Sequence, residues 1–308
     1  AATTSAEIAP LPGAAMRTTT DAMMNQTKAK SALLIAGPTA SGKSALALAL
    51  ARERDGVIIN ADALQVYKEL RILSARPTDE ELHMAPHRLY GHVSGLDSYS
   101  VAHWLEDARR EIESAWAAGK LPIITGGTGM YFMALEQGLA EVPSIDPEIR
   151  EKWRSFEGDL YGELIRRDKE SAKALKPNDR QRLARALEVI EGTGQPLSHW
   201  QAEAQSRAFL KDVAVERHVV EVPREELYNR AERRFDQMMA AGALEEVRPL
   251  IKYGSVLPMM KAIGVPELTR HLRGEISLQE AVVLAKTATR QYIKRQLTWW
   301  RGQAGRDH

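Results

Sequence analysis

No cysteine occurs among the 308 residues, which removes disulfides, thiolate nucleophiles and Cys-ligated zinc from consideration. That absence is compatible with a reducing compartment, and the cytoplasm is the expected location. There is no run of about 18 apolar residues, so no membrane-spanning helix is expected. An excess of one charge sign is also missing, because 42 Lys and Arg stand against 41 Asp and Glu. A polyanion site must therefore be a local patch rather than a property of the whole surface. Internal repeats and low-complexity tracts are lacking. So are two marks of nucleotide hydrolases, an Asn-Lys-x-Asp guanine reader and an apolar strand ending in Asp-Glu. A GTPase or motor is set aside, and a small-molecule kinase stays in comparison.

The composition is that of a globular protein, 44% hydrophobic and 27% charged. Residues 1–28 are rich in Ala, Thr, Met and Pro without periodicity and read as a mobile tail, with Met16, Met23 or Met24 as possible natural starts. Glu7, Asp21 and the single Arg17 make this tail a poor transit peptide. From Ser31 to Ala36 an apolar run leads through a Gly-rich turn into an Ala/Leu-rich helix, and a second strand follows at Val57 to Asn60. Val101, Trp104, Leu105, Ala108, Ile112 and Ala115 recur at helical spacing until Gly119 stops the pattern, ahead of a strand at Leu121 to Thr125. Val219 to Val222 reads as one more candidate strand. Alternating strands and helices imply an α/β fold, a doubly wound parallel sheet with ligands at the carboxyl ends of its strands. Between Pro143 and about Ser206 the strand signal vanishes and the chain is helical and charged. The expected division is a core of residues 29–142 and 207–308, with a helical insertion domain over 143–206.

Three motifs fall at the same end of the expected sheet. Gly37-Pro38-Thr39-Ala40-Ser41-Gly42-Lys43-Ser44 is a full P-loop pattern between a strand and a helix. Its backbone N–H groups suit a diphosphate, Lys43 adds a cation, and the Ser44 hydroxyl can ligate Mg²⁺. Asp62 closes the second strand, where a carboxylate can hold Mg²⁺ through water, bind a hydroxyl, act as a general base or simply cap a helix. Tyr67 reads as packing. Gly126-Gly127-Thr128-Gly129 follows the next strand, and its glycines let backbone approach a ligand while Thr128 offers a hydroxyl.

Two basic stretches lie elsewhere. Lys286, Arg290, Lys294, Arg295 and Arg301 are interleaved with Tyr292, Trp299 and Trp300 and contain no acid between them; Lys286, Arg290, Lys294 and Arg301 share one helical stripe. Residues 163–185 carry eight cations against four acids. Either is a solvated face or a grip on phosphates.

The set resembles the tRNA dimethylallyltransferase (tRNA isopentenyltransferase) family, from about Leu33 to Arg301. The resemblance rests on Gly37 to Ser44, on Asp62 with Gln65 and Tyr67, on Gly126 to Tyr131, on Pro177 to Leu183, and on Thr289 through Trp299, the most specific block. It implies a P-loop NTPase-like core in which the loop and Ser44-bound Mg²⁺ hold dimethylallyl diphosphate rather than ATP. It implies that the adenosine 3′ to the anticodon of a tRNA is flipped into the crevice, with Asp62 as general base and Thr128 orienting the amine. An arginine on a core helix is implied at the diphosphate, falling on Arg234 with Arg233 as the alternative. Contacts to the anticodon stem-loop are implied at Asp62, Ala63, Leu64 and Gln65; at Arg150; at Gln181, Arg182, Leu183, Ala184 and Arg185; at Lys261, Ala262, Ile263, Gly264, Val265 and Pro266; and at Lys294, Arg295, Gln296, Leu297, Thr298, Trp299, Trp300 and Arg301. The sequence departs from the pattern at Ala63, where Ser is common, and at Val265-Pro266, where Tyr-Arg is frequent. A monomer without membrane attachment is expected. Competing readings are prenylation of free adenine nucleotides, a small-molecule kinase and a non-enzymatic RNA binder; all three leave part of this motif set without a purpose.

Overall fold

The computed structural model describes residues 15–20 and 30–304. Six strands form one sheet: β1 (Ala15–Thr20), β2 (Ser31–Ala36), β3 (Gly56–Asn60), β4 (His87–Arg88), β5 (Leu121–Gly126) and β6 (Ala214–Glu221), in the order β1-β6-β2-β5-β3-β4. All neighbours are parallel except the antiparallel pair of β1 and β6. Parallel strands are covered on both faces and so read as unbroken apolar runs. This is why Leu33 to Ala36, Val57 to Ile59 and Ile123 to Ile124, all buried, were visible in the sequence.

Residues 15–20 correct the expectation of a tail over 1–28, since they pair with residues 216–221. The rest of that expected tail lies outside the described residues. β6 begins five residues before the expected Val219. Its charged members obscured the run, yet they are satisfied in place: Glu216 accepts from Arg54 at 2.7 Å and pairs with His218 at 2.7 Å.

Chain contacts divide the molecule into two compact units, Ala1–Phe132 with Val213–His308, and Met133–Asp212. In the first, helices α1 (Lys43–Glu53), α2 (Asp79–Met84) and α3 (Val101–Ala117) connect the parallel strands. α3 turns Trp104, Ala108, Ile112 and Ala115 inward, as its spacing dictates, and ends at Gly119 with φ +72°. α4 (Gly129–Gln137) follows β5.

The second unit is helical: α5 (Pro147–Ser155), α6 (Leu160–Arg167), α7 (Lys169–Ala174), α8 (Arg180–Thr193) and α9 (Leu197–Ser206). Trp153, Leu160, Leu164, Leu183 and Leu187 form its own core. Its boundaries are wider than the expected 143–206. The chain then supplies α10 (Arg224–Ala240), α11 (Ala243–Val247), α12 (Val265–Leu272) and the long α13 (Leu278–Ala304) to the first unit. Leu227 and Ala231 of α10 and Ile293 of α13 join Leu33, Ile35, Ile58 and Ile123 in one apolar cluster. That packing fixes the inward faces of both helices beside the ends of β2, β3 and β5.

Candidate active site

The P-loop leaves β2 at Ala36 and enters α1 at Lys43. Gly42, at φ +92°, occupies the left-handed region that a residue with a Cβ adopts only at a cost. No side chain caps the first turn of α1 and no acid stands in it, so its N–H groups remain available to an anion. Lys43 folds back and donates to the Pro38 carbonyl at 3.2 Å. Desolvation in the cleft lowers its pKa to about 8; the Asp62 carboxylate opposes that shift and the Arg234 guanidinium reinforces it.

Arg234 of α10 lines the same cleft, whereas its neighbour Arg233 is exposed. Helical periodicity separates the two: adjacent residues point about 100° apart, and Phe235 on the far side of Arg234 is buried. Lys43, Ser44, Asp62, Tyr90, Thr125 and Arg234 all line one cleft.

Asp62 is held by its own turn and by a buried amide. Its Oδ1 accepts from the Leu64 N–H at 2.9 Å. The fully buried Asn60 side chain brackets its backbone, accepting from the Asp62 N–H at 2.9 Å and donating to the Asp62 carbonyl at 3.0 Å. Asn60 is fixed in turn by Leu89, whose carbonyl accepts from it, and by Trp104, whose indole donates to its carbonyl at 2.8 Å. One carboxylate oxygen is thus committed to the turn, and Oδ2 faces the Gly127 backbone.

Phenols surround this carboxylate. Tyr90 and Tyr292 are pushed well above the ordinary value by burial and then by Asp62; Tyr131 is raised by burial, then by Tyr67 and Asp62. These groups stay protonated and can donate, not accept a proton, at neutral pH. Tyr67 is buried and bridges to Val93, in line with packing.

The glycine loop after β5 closes the site from the other side. A Cβ on Gly126 would lie 2.1 Å from the Ala61 carbonyl oxygen, so only glycine fits there. The Thr128 hydroxyl accepts from the Ala63 N–H at 2.9 Å, which leaves its proton to donate. Loop 62–76 is tied down by residues far along the chain. Gln65 donates to the Ser74 and Ala75 carbonyls at 3.0 and 2.8 Å, and Glu246 accepts from the N–H groups of Arg71, Ile72 and Leu73 at 2.7, 2.7 and 2.9 Å.

A family model described as IPP transferase matches residues 65–303. The chain belongs to the IPP transferase family. It is 54% identical over 281 residues to a tRNA dimethylallyltransferase of Azorhizobium caulinodans, covering 88% of this chain and 89% of that one. Two solved structures are also similar. A eukaryotic dimethylallyltransferase acting on tRNA matches at 30% identity and a TM-score of 0.75, over 88% of this chain and 69% of that one. A tRNA isopentenylpyrophosphate transferase from Bacillus halodurans matches at 32% and 0.61, over 88% and 87%.

The residues expected to touch RNA divide by exposure. Lys261, Pro266, Lys294, Arg295, Thr298 and Arg301 are exposed in the first unit, as are Gln181 and Arg182 in the second. Leu183, Ala184, Ala262 and Val265 are core residues. Gly264 sits at φ +96° ahead of α12, with Ile263 partly buried beside it. Leu297 packs on the sheet cluster, Trp299 lies against Gly129, and Trp300 meets Phe132 edge-on at 5.5 Å. Ala63 and Leu64 are partly buried in the Asp62 turn.

Contiguous blocks on a helix always include inward positions, so a block assignment overstates the contact surface. Charges divide as well. Arg185 and Arg154 both pair with Glu188, which is 1% exposed, and Arg182 pairs with Asp179 at 3.3 Å. Arg150 is half-buried and its Nε makes no hydrogen bond. The first half of the basic stripe on α13 is paired with α10: Lys286 with Asp236 at 2.7 Å and Arg290 with Glu232, so both tie the two helices together. The sequence reading gave no role to Asn60, Tyr90 or Thr125; a polar residue inside or beside an apolar strand was the available signal for the first and third.

Proposed function

We infer that this chain transfers the dimethylallyl group of dimethylallyl diphosphate to the exocyclic amine of the adenosine on the 3′ side of the anticodon in a tRNA. The observation that carries this reading is the convergence of two cations, Lys43 and Arg234, with one carboxylate, Asp62, in a single cleft at the P-loop. The cations and the α1 N–H groups take the diphosphate; the carboxylate takes the proton of the amine. A C–N bond forms to the allylic carbon as the C–O bond to the diphosphate breaks, the electron pair leaving with pyrophosphate and the amine proton passing to Asp62 Oδ2. The Thr128 hydroxyl orients the amine, and the raised phenols of Tyr90 and Tyr292 supply donors without competing as bases.

The donor set also fits Mg²⁺. The Ser44 hydroxyl is exposed beside Lys43, and a buried Thr125 hydroxyl without a partner lines the same cleft. Among the described residues there is no cluster of three acids or histidines for a metal, so the ion would take the rest of its oxygen ligands from the diphosphate and water. When bound it neutralises charge on the leaving pyrophosphate. Among the described residues no helix is long and apolar enough to cross a membrane, and a cytoplasmic monomer acting on tRNA is the reading adopted.

The test is incubation with labelled dimethylallyl diphosphate and, separately, tRNA, AMP or ATP, followed by mass analysis of nucleosides. Prenylated adenosine from tRNA alone supports the reading; prenylated AMP, or ATP consumption with a phosphorylated product, overturns it.

Two further results are expected. Lys43 must be charged to hold the donor, and its pKa in the free protein is about 8. Donor capture is therefore full below that pH and is lost as pH rises through it, so kcat/KM for the donor falls on the alkaline side. Lys43→Arg, always cationic, should remove that limb. On the RNA side, Lys294→Gln with Arg301→Gln should flatten the salt dependence of tRNA binding by roughly one to two log–log units, measured by filter binding. Lys286→Gln with Arg290→Gln should instead lower the melting temperature and leave the slope alone.

A further inference from the structure

Gln296 belongs to the block of α13 expected to touch RNA, yet it is only 6% exposed and points the other way. Its Oε1 accepts from the Thr39 N–H of the P-loop at 2.9 Å. Its Nε2 donates to the Gly127 carbonyl of the second glycine loop at 3.1 Å. One side chain thus joins the two loops that flank the cleft, across a distance in sequence of 257 residues to the first and 169 to the second.

The second loop is shaped around it. Gly127 does not have a positive φ, so its backbone would admit alanine. A Cβ there would nevertheless stand 2.4 Å from Gln296 Nε2, while the next neighbours, the Gly37 carbonyl and Asp62 Oδ2, lie at ordinary contact distances of 3.5 and 3.7 Å. The amide of Gln296 is the single obstacle.

We propose that Gln296 is a positioning residue for prenyl transfer. By fixing the P-loop against the Gly127 loop, it sets the distance between the diphosphate-bound allylic carbon and the amine beside Asp62, and it is not an RNA contact. This rests on the function inferred above. An amide satisfies both ends: a carboxylate accepts from Thr39 but cannot donate to Gly127, and a methionine has no donor and only a weak acceptor. Misplacement of reacting atoms by about 1 Å lowers rates by as much as about 100-fold, which sets the scale expected here.

The experiment uses the full chain with tRNA and dimethylallyl diphosphate, both saturating, in single turnover. If the parent protein does not prenylate tRNA, the underlying function fails; the proposal is judged on variants of a competent parent. Gln296→Glu and Gln296→Met should slow the single-turnover step about 10- to 100-fold while tRNA affinity by filter binding stays within about threefold. Loss of tRNA affinity with an unchanged saturated rate would make Gln296 an RNA contact and overturn the proposal. Because a loosened fold would also slow the step, a double-mutant cycle supplies the second arm. Gly127→Ala should slow the parent about tenfold and the Gln296→Ala protein by less than about twofold, because its only tight neighbour is gone. Equal effects in both backgrounds would overturn the proposal.

Discussion

Asp62→Asn lowers the single-turnover rate of prenyl transfer on bound tRNA by about 100- to 10,000-fold, the range over which a general base contributes, and leaves tRNA affinity within a few-fold. The substitution is chosen for what it keeps. An asparagine at this position retains an oxygen to accept from the Leu64 N–H, and the Asn60 bracket holds only the backbone, so the turn survives. What disappears is a group able to take a proton from the amine. The raised phenols nearby offer no substitute base. Rapid quench with nucleoside mass analysis reads the rate, and a melting curve on the same sample confirms the fold. A near-parental rate would remove Asp62 from the proton transfer and leave it a turn residue.

Lys43→Ala and Arg234→Ala each weaken binding of a non-reactive donor analogue by about 10- to 100-fold, because each removes a charged partner worth about 1.5–3 kcal/mol from the diphosphate site. Neither changes tRNA affinity, since both side chains line the cleft rather than an exposed face. The two cations also interact, as Arg234 lowers the pKa of Lys43. Arg234→Ala therefore shifts the alkaline limit of donor capture to higher pH even as it weakens the binding itself. Isothermal titration across a pH series measures both effects. Unaltered affinity in both variants would move the diphosphate elsewhere.

The cleft was legible because it is written locally. Strands β2, β3 and β5 are apolar runs that lead into the loops at Gly37, Asp62 and Gly127, and parallel order brings those ends together without further information. The strand β6 was half-seen, because Glu216, Arg217 and His218 interrupt its apolar character. β1 was missed, and its pairing with a strand some two hundred residues later has no local signature. Gln296 and Glu246 were read as surface or not read at all for the same reason: their hydrogen bonds reach loops distant in sequence, and periodicity carries no record of them. The choice of Arg234 over Arg233 depended on the rotation of α10, which one residue of register decides.

The division of the first unit into two chain segments has a consequence for biosynthesis. β2 waits for β6, since Ser31 to Ala36 pair with Ala214 to Val219, and the contiguous unit Met133–Asp212 emerges from the ribosome between them. Five helices with local contacts form fast, whereas a parallel sheet missing a central strand cannot close. The nascent chain therefore carries a folded helical unit behind an unfinished sheet whose β2 edge is open, and the cleft, which needs Arg234, comes into being only after α10 has been made.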